Sequence, residues 1–421
     1  MNATKRTPQL RFPEFTGEWR EKRLGEIFLF KRTNSLSRAQ LDIRGVVKNI
    51  HYGDIHTKFP TVLDSTRDDI SYIRSSVGDN VGDFLYDGDL VVADASEDYN
   101  DIGKTVEISG VDNNEVKIVA GLHTLALSPY SNYANGFMGY LFKTESVHRQ
   151  MVRVATGVSV LGLSKSNVSD MCLLVPPLEE QQKIAAFLAA VDKRVALLER
   201  KVQQLEAYKR GVMQQLFSQQ LRFTRPDGSH FPAWQEKRLG EVFDAARGSS
   251  LSWGDIEADG KNKAILYGQL YTIYPEVVSQ VVSRTNSNKG TPSKNGDLLL
   301  PNSTTTTGID LANATALNED GVLLGGDITI LRFKETGSSI FYAYYLSHFM
   351  KYKLAAYGQG STIVHMYFSQ YKNMKIVEPS AAEQQKIAEV LSALDEKIAL
   401  TRQQLDKTKQ FKKGLLQRMF V

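Results

Sequence analysis

Polar side chains that can hydrogen-bond to DNA are concentrated in two pairs of loops. The first half of the chain carries them at 31–35 and 96–100, and the second half carries them at 247–250 and 302–307. Asn, Gln, Ser, Thr, Arg and Lys side chains bind base edges and phosphate oxygens. Any single loop could be an ordinary solvated turn, but loops that match in position and differ in content favour recognition.

Tyrosine and histidine side chains supply a second group of candidates. A Tyr/His cluster at 51–56 has a counterpart at 267–271, and such rings can stack on bases or donate hydrogen bonds. The candidate DNA-binding residues of the first half are Lys31, Arg32, Asn34, His51, Tyr52, His56, Ser96, Tyr99 and Asn100. Those of the second half are Arg247, Ser250, Tyr267, Gln269, Tyr271, Asn302, Ser303, Thr304 and Thr305.

Catalytic motifs are missing from the sequence. An adenine methyltransferase needs an Asn/Asp-Pro-Pro-aromatic motif, whereas the Pro-Pro pair at 176–177 lacks both the amide and the aromatic residue. The segment 103–105 resembles the end of a phosphate-binding loop, but the first glycine of GxxxxGK[ST] is absent. No His-Glu-x-x-His or paired-cysteine motif indicates a metal site. We therefore expect no catalytic residue, no metal and no cofactor.

The chain is an internal duplication. Residues 176–217 match residues 379–420 without a gap, with 16 of 42 positions identical, including Glu-Gln-Gln-Lys-Ile-Ala. The segment 19–28 (WREKRLGEIF) matches 234–243 (WQEKRLGEVF) at eight of ten positions. Weaker matches between them keep the same order, and their offset falls from 215 through 208 to 203 along the chain. Chance matches would not give such an order.

The repeat predicts the domain organisation. We expect target-recognition domains at 1–175 and 219–378, with spacer helices at 176–218 and 379–421. Short β-rich runs separated by Gly, Asn, Asp and Ser, followed by aromatic helical stretches, indicate mixed α and β structure in both recognition domains. The expected fold is therefore α+β, with two pseudo-symmetric recognition domains joined by two long helices. A duplicated domain with two different surfaces suggests recognition of two different sequences.

The two long helices have the periodicity of a coiled coil. Mostly apolar residues recur at alternating steps of four and three along 184–216 and 387–419. Lys209 and Lys412 interrupt both stripes at the same place, where Tyr208 and Phe411 are candidates to fill the gap. Pairing of the helices would give a rod of about 60 Å, since about 40 residues rise 1.5 Å each. The alternative is that each helix packs on its own domain.

The composition indicates a folded protein and is compatible with several functions. The hydrophobic fraction of 42% is enough for ordinary cores, and the net charge of +4 permits nucleic acid binding without requiring it. A single cysteine, Cys172, excludes an internal disulfide and fits a reducing cytoplasm. Neither a secretory signal nor a membrane-spanning segment is recognisable, so we expect no membrane association.

The whole chain resembles the specificity subunits of bacterial type I restriction–modification systems. The Trp-x-Glu-Lys-Arg-Leu-Gly-Glu junctions, the Pro-x-x-x-Glu-Gln-Gln-Lys-Ile-Ala helix starts and the order of the copies carry this resemblance. It implies that each recognition domain binds half of a split site in double-stranded DNA, while the paired helices set the gap. It also implies two methyltransferase subunits as partners, and restriction subunits that can join them.

Two further interpretations stay open at this point: a stand-alone two-domain DNA-binding protein and a coiled-coil scaffold that binds no DNA. The repeated helix start suits two identical partners, with Lys183 and Lys386 as candidate partner-binding residues. The alternative is that this sequence merely begins each helix, where Glu180 and Glu383 interact favourably with the positive N-terminus.

Overall fold

The computed structural model describes residues 6–77, 81–111 and 117–421. These residues form two compact units. Unit 1 comprises the chain up to Arg200 together with Arg402–Val421, and unit 2 is Lys201–Thr401. Each unit therefore contains one copy of the repeated domain and a part of each long helix. The predicted domain bounds remain predictions.

Unit 1 is built on a five-stranded sheet. Its strand order is Phe28–Lys31, Thr124–Pro129, Leu90–Ala93, Thr105–Ser109 and Val62–Asp64. The apolar run Leu90–Ala93 is buried at every position because it lies in the middle of this sheet. A smaller sheet has the order Lys117–Ala120, Val47–Ile50, Tyr72–Ile73 and Leu41–Asp42.

Two-stranded sheets and short helices complete unit 1. The repeated junction Arg20–Arg23 pairs antiparallel with Cys172–Val175, and Ala95–Ser96 pairs antiparallel with Leu161–Gly162. The short helices are Leu24–Ile27, Arg38–Gln40 (a 3-10 helix), Tyr52–Thr57, Phe137–Phe142, Glu145–Val154 and Lys165–Ser169.

Unit 2 repeats this plan with fewer strands in the main sheet. The order there is Phe243–Arg247, Ile328–Phe333, Asp297–Pro301 and Thr315–Leu317. The smaller sheet has the order Ser283–Thr285, Asn262–Ile265, Leu323–Leu324 and Thr291–Pro292. Gly88 of unit 1 and Gly296 of unit 2 have nearly the same positive φ, 85° and 86°, which explains why this repeated turn keeps glycine.

Unit 2 has the same two kinds of two-stranded sheet as unit 1 and a larger set of short helices. Gln235–Arg238 pairs antiparallel with Lys375–Glu378, and Ser303–Thr304 pairs antiparallel with Val364–His365. The short helices are Leu239–Val242, Trp253–Asp255 (3-10), Gln269–Thr272, Gly308–Leu311, Ser339–Tyr344, Tyr345–Phe349 (π), Lys351–Ala355 and Phe368–Tyr371.

Two long helices run from Leu178 to Phe217 and from Ala381 to Met419, each beginning just after proline. In unit 1, Ile184 and Leu188 share a core cluster with Leu415 and Met419 of the other helix. In unit 2, Met213 and Leu216 share a core cluster with Ile387 and Leu391. The apolar stripes thus contribute to the core of each unit.

The prediction that Tyr208 and Phe411 fill the gaps in the apolar stripes is wrong. Both rings are exposed, at 61% and 54%, while Lys209 and Lys412 turn inward and pair with aspartates. A lysine fits there because its alkyl chain packs along apolar surface and its ammonium finds a carboxylate. The aromatic residues are left on the outer faces of the helices.

Candidate nucleic-acid interface

A buried glutamate ties the start of the first long helix to the N-terminal segment in unit 1. The Glu180 carboxylate accepts two hydrogen bonds from the Arg11 guanidinium, both at 2.7 Å, and one from Trp19 Nε1 at 3.4 Å. Glu180 is fully buried, so these donors compensate the cost of removing its charge from water.

Unit 2 repeats this contact with equivalent residues. Arg222 donates to the two carboxylate oxygens of Glu383 at 3.1 and 2.7 Å, and Trp234 Nε1 donates at 3.1 Å. The sequence pattern predicts the glutamates only as helix-start residues and predicts no role for the arginines. A signal existed, because Arg11 and Arg222 both lie in a Gln-Leu-Arg-Phe tetrapeptide.

A second repeated contact joins each recognition domain to both long helices. In unit 1 the Tyr140 hydroxyl donates to Asp192 at 2.9 Å, and Lys412 lies 2.5 Å from the same carboxylate. In unit 2 Tyr344 donates to Asp395 at 2.5 Å, and Lys209 donates at 2.6 Å. Desolvation and the adjacent aspartate raise the pKa of both tyrosines above the usual range, so they remain donors. These contacts position the domains that carry the candidate loops.

Unit 2 adds a carboxylate to this cluster. Glu276 pairs with His348 and lies 3.8 Å from Lys209. Burial alone would raise the pKa of Glu276, but the hydrogen bond from His348 and the charge of Lys209 lower it to about 2. No motif in the sequence indicates this group.

The candidate residues of the loop at 96–100 have unequal exposure. The Tyr99 ring is 59% exposed, whereas the Ser96 hydroxyl donates to the backbone oxygen of Asp98. The Asn100 amide donates to the Asp98 carboxylate at 3.0 Å while its side chain remains exposed. Of the three DNA-binding candidates in this loop, Tyr99 and Asn100 are therefore the two whose side chains are exposed.

Three histidine rings surround Tyr52 in unit 1. His51 stacks on it with ring centroids 4.7 Å apart, and His56 and His123 meet it edge-on at 5.9 and 5.4 Å. The structure thus brings together His51, Tyr52 and His56 as the sequence suggested, and adds His123. Burial and then the charge of Arg38 lower the pKa of His51, which accepts a hydrogen bond from the Gly53 amide. His51 therefore caps a helix as a neutral ring.

Several other candidates in unit 1 are held by internal contacts. Lys31 lies 2.5 Å from the Asp89 carboxylate, and Asn34 donates to Asn49 and to the Val81 carbonyl. Arg32 is exposed but pairs with Asp83. For Lys31 and Asn34, these contacts are sufficient to explain the residue type without DNA.

The candidate DNA-binding residues of unit 2 likewise include both buried, internally bonded side chains and exposed ones. Gln269 and Asn302 are each 1% exposed; Gln269 donates to Ser283, and Asn302 accepts from Thr329. Ser303 and Thr304 are also buried. Tyr267 and Tyr271 are half-buried, whereas Arg247, Ser250 and Thr305 are exposed.

A short hairpin lies beside each candidate loop. Thr156 and Gly162 exchange backbone hydrogen bonds in unit 1, as Gln359 and His365 do in unit 2. Each hairpin contains a glycine in the left-handed region, Gly157 (φ 125°) or Gly360 (φ 128°), where any Cβ would lie 2.0 Å from a backbone oxygen. This close approach explains the Gly157–Gly360 match. The hairpins extend the candidate surface in both units.

A left-handed residue other than glycine precedes a sheet strand in each unit. His123 (φ 54°) precedes Thr124–Pro129, and Asp327 (φ 59°) precedes Ile328–Phe333. Their carbonyls accept from the amides of Asp94 and Asn302, next to the candidate loops. Burial raises the pKa of Asp94, although His123 opposes this shift. Backbone strain of this kind is concentrated at functional sites, and no sequence motif indicated it.

Both predicted partner-binding lysines contact their own unit. Lys183 pairs with Glu14 and lies over the Phe12 ring at 4.7 Å. Lys386 donates to the Thr224 carbonyl at 3.2 Å and lies over the Phe223 ring at 5.7 Å. Each lysine helps to hold the segment that also carries Arg11 or Arg222.

Within residues 6–77, 81–111 and 117–421, the side chains form no group of three or more His, Cys, Asp or Glu that could hold a metal ion. None of the helices described in the same ranges has the length and apolarity needed to span a membrane.

Both halves of the chain match one protein family. Residues 16–207 and 233–410 each match the type I restriction modification DNA specificity domain. The two matches cover most of the chain and follow its internal repeat. The chain therefore belongs to this family.

Two archaeal specificity subunits are similar in sequence. The putative type I restriction enzyme MjaX specificity subunit of Methanocaldococcus jannaschii is 24% identical over 379 residues, which span 86% of this chain and 84% of the relative. The type I restriction enzyme MjaVIII specificity subunit of the same organism is 23% identical over 298 residues, or 66% of this chain and 68% of the relative.

Two solved structures share the fold. The type I restriction–modification S subunit from M. genitalium superposes with a TM-score of 0.58 at 15% identity, covering 99% of both chains. A chain from a study of complex assembly and conformational transition of the type I R-M system gives 0.53 at 18% identity, covering 96% of this chain and 97% of the other. With the family match, this chain is a non-catalytic specificity subunit rather than a stand-alone DNA-binding protein.

Proposed function

We propose that this chain recognises a split site in double-stranded DNA, with unit 1 binding one half-site and unit 2 the other. In this proposal it directs two methyltransferase subunits to adenines within that site. Restriction subunits join the same complex where they are present, and the complex acts on DNA in the cytoplasm.

One observation carries the proposal: the two units share the buried contacts that hold their recognition domains to the long helices and differ in the exposed side chains of matching loops. Glu180 and Glu383 have the same partners in the two units. The loops beside the strained residues differ, with Tyr99 exposed in unit 1 and Thr305 in unit 2. Equal scaffolds with different surfaces suit two half-sites of different sequence, because base edges are distinguished by the side chains that meet them.

The outer faces of the long helices offer a matched pair of docking surfaces. Unit 1 exposes Leu197 (53%) and Phe411 (54%), and unit 2 exposes Leu400 (53%) and Tyr208 (61%) at the equivalent positions. Exposed aromatic and leucine side chains at matched positions suit two copies of one partner. Lys183 and Lys386 are weaker candidates, since reversing their charge would first break contacts within their own unit.

Replacing Leu197 and Phe411 by glutamate tests this docking surface. We expect the number of bound methyltransferase subunits to fall from two to one, because the matching surface of unit 2 is unchanged. Mass measurement of the purified complex reports the number directly. A Glu179→Ala variant, altered on an exposed face of the same helix, serves as the control. Two bound partners in the double variant would exclude this surface.

Pairing of the long helices as a coiled coil would set the gap between half-sites. A heptad inserted after Leu198 and another after Thr401 keeps the apolar stripes in phase and lengthens a paired rod by about 10 Å. At 3.4 Å per base pair, the preferred gap should grow by up to about three base pairs. Those base pairs rotate the second half-site by roughly 100°, so binding should weaken as well. An unchanged preferred gap in the assembled variant would contradict this role.

Mapping of adenine methylation across the genome, with and without the gene for this chain, tests the proposed function. We expect one split motif to lose methylation when the gene is removed and to regain it when the gene is restored. Unchanged methylation at every motif would count against the proposal. Binding of a split motif by the purified chain without any co-purifying methyltransferase would instead support action without partner subunits.

A further inference from the structure

Two arginines at equivalent positions have different surroundings in the two units. Arg32 and Arg247 lie 215 positions apart, the offset of the repeated junction. In unit 1, Arg32 Nε donates to the Asp83 carboxylate at 3.0 Å, and the Arg32 amide donates to the same carboxylate at 2.9 Å. These hydrogen bonds lower the pKa of Asp83. The guanidinium of Arg32 is therefore already bound to an internal anion.

Threonine stands in unit 2 where unit 1 has this aspartate. Asp83 and Thr291 each follow a glycine with positive φ, Gly82 at 96° and Gly290 at 105°. The Asp83 amide donates to the Arg32 carbonyl, and the Thr291 hydroxyl donates to the Arg247 carbonyl at 2.8 Å. The two positions are structurally equivalent, but the hydroxyl of Thr291 cannot neutralise a guanidinium.

The Arg247 guanidinium instead lies 4.6 Å above the centre of the Tyr367 ring. Tyr367 stacks on His365, with ring planes 11° apart and centroids at 5.8 Å. Nothing in the part of the chain that the structure describes forms an ion pair or a side-chain hydrogen bond with this exposed guanidinium. The position matching Tyr367 in unit 1 is Ser164, so Arg32 has no such ring.

This stack lies at the candidate interface of unit 2. His365 pairs in the sheet with Ser303, and Gly248 donates its amide to the Ile328 carbonyl, next to the strained Asp327. A guanidinium that rests its face on an aromatic ring keeps its N–H donors at the edge, in a fixed plane. Such a planar pair of donors matches the O6 and N7 acceptors of guanine in the major groove.

We infer that Arg247, supported by Tyr367 and His365, binds a guanine in the half-site of unit 2, and that Arg32 has no equivalent role. The inference rests on the proposed function, since it assigns one base of the proposed split site. It predicts that this half-site contains a guanine whose major-groove edge is required for binding.

Selection of bound duplexes from a randomised library tests the inference, using the full-length chain with the subunits that co-purify with it. We expect a guanine preference at one position of the second half-site of roughly 5-fold to 150-fold. Arg247→Met should abolish it, because a thioether side chain donates no hydrogen bond to O6 or N7. Thr291→Asp should also abolish it by supplying the carboxylate that unit 1 uses to bind Arg32.

The matched control is Asp83→Thr, which should leave the second half-site unchanged. Continued selection of the first half-site shows in every variant that the protein is folded and assembled. A synthetic duplex with 7-deazaguanine at the predicted position removes the N7 acceptor alone. We expect it to weaken binding of the wild-type protein and to have no effect on binding by Arg247→Met.

Three results would overturn the inference: a second half-site without guanine, a guanine preference that survives both variants, or an equal loss of binding on all sequences. The last result would identify Arg247 as a phosphate contact. Failure of the proposed function would look different, because the wild-type protein would then select no split motif at all.

Discussion

Arg32 of unit 1 is bound to Asp83, whereas the equivalent Arg247 of unit 2 lies on the ring of Tyr367. The buried contacts of Glu180 and Glu383 show no such divergence, since each glutamate binds one arginine and one tryptophan. A buried charge without partners is costly, so substitutions there are restricted. An exposed side chain can change freely. The duplicated domain therefore retains this buried contact, while the exposed surroundings of Arg32 and Arg247 have diverged.

We expect the largest effect on stability from removal of a buried glutamate, and this substitution tests whether the two units are equivalent. Glu180→Ala and Glu383→Ala each leave an arginine without its anion in a partly buried site, and we expect each to lower the free energy of unfolding by about 3–5 kcal/mol. Urea unfolding checks the values, with Glu179→Ala as the exposed control expected within about 0.5 kcal/mol. A large effect in one unit and none in the other would contradict the equivalence of the two anchors.

Glu107 of unit 1 is a buried carboxylate that forms no ion pair with any residue the structure describes. Burial raises the pKa of Glu107 to about 7 from an ordinary 4.5, although the amides of Gly136 and Gly139 donate to it. The folded state therefore binds this proton more tightly than the unfolded state. Stability should fall by about 3 kcal/mol as pH rises from about 4.5 to 7. Glu107→Gln should remove this slope in urea unfolding, and an unchanged slope would contradict it.

Glu276 of unit 2 should behave in the opposite way. Its folded pKa is about 2, below the ordinary 4.5, because His348 and Lys209 outweigh burial. Its contribution of about 3 kcal/mol should be present above pH 4.5 and lost as pH falls towards 2. Comparison of the wild type with Glu276→Gln by urea unfolding over this acid range measures the contribution. Equal acid sensitivity of the two proteins would exclude it.

The duplication, the helices and the mixed α and β structure could be predicted because they leave strong patterns. Sixteen identities over 42 residues and stripes at steps of four and three are visible without coordinates. The inward lysines could not be predicted, because Lys209 and Lys412 fit a buried stripe only once Asp395 and Asp192 are known to face them. Periodicity along one segment carries no information about its partner.

Candidate DNA-binding residues were harder to predict for the same reason. Asn302 and Thr305 are polar residues three positions apart in one loop, yet the first is buried and accepts from Thr329 while the second is exposed. The Arg247–Tyr367–His365 stack joins residues more than a hundred positions apart, so no local motif indicates it. Side-chain chemistry identified the loops, and only the fold separates exposed from internally bonded members.

The smallest predicted effects on stability are those of substitutions at Asn302 and Thr305. They compare a buried with an exposed residue of one loop. Asn302→Ala leaves Thr329 without its acceptor in a buried site and should destabilise unit 2 by about 1–3 kcal/mol. Thr305→Ala should change stability by no more than about 0.5 kcal/mol. Thermal unfolding distinguishes them. If Thr305 contacts a base, its variant should alter only the second half-site, and altered selection of the first half-site would contradict the separation of the units.

The most direct test of two separate recognition surfaces is to give the chain the same surface twice. Residues 244–378 would be replaced by a second copy of residues 29–175, joined at the repeated junctions and helix starts. Duplex selection by the wild-type protein defines both half-sites, and selection by the duplicated chain is then compared with it. We predict that the duplicated chain selects two copies of the first half-site and loses the second. Continued selection of the second half-site by this chain would contradict the account.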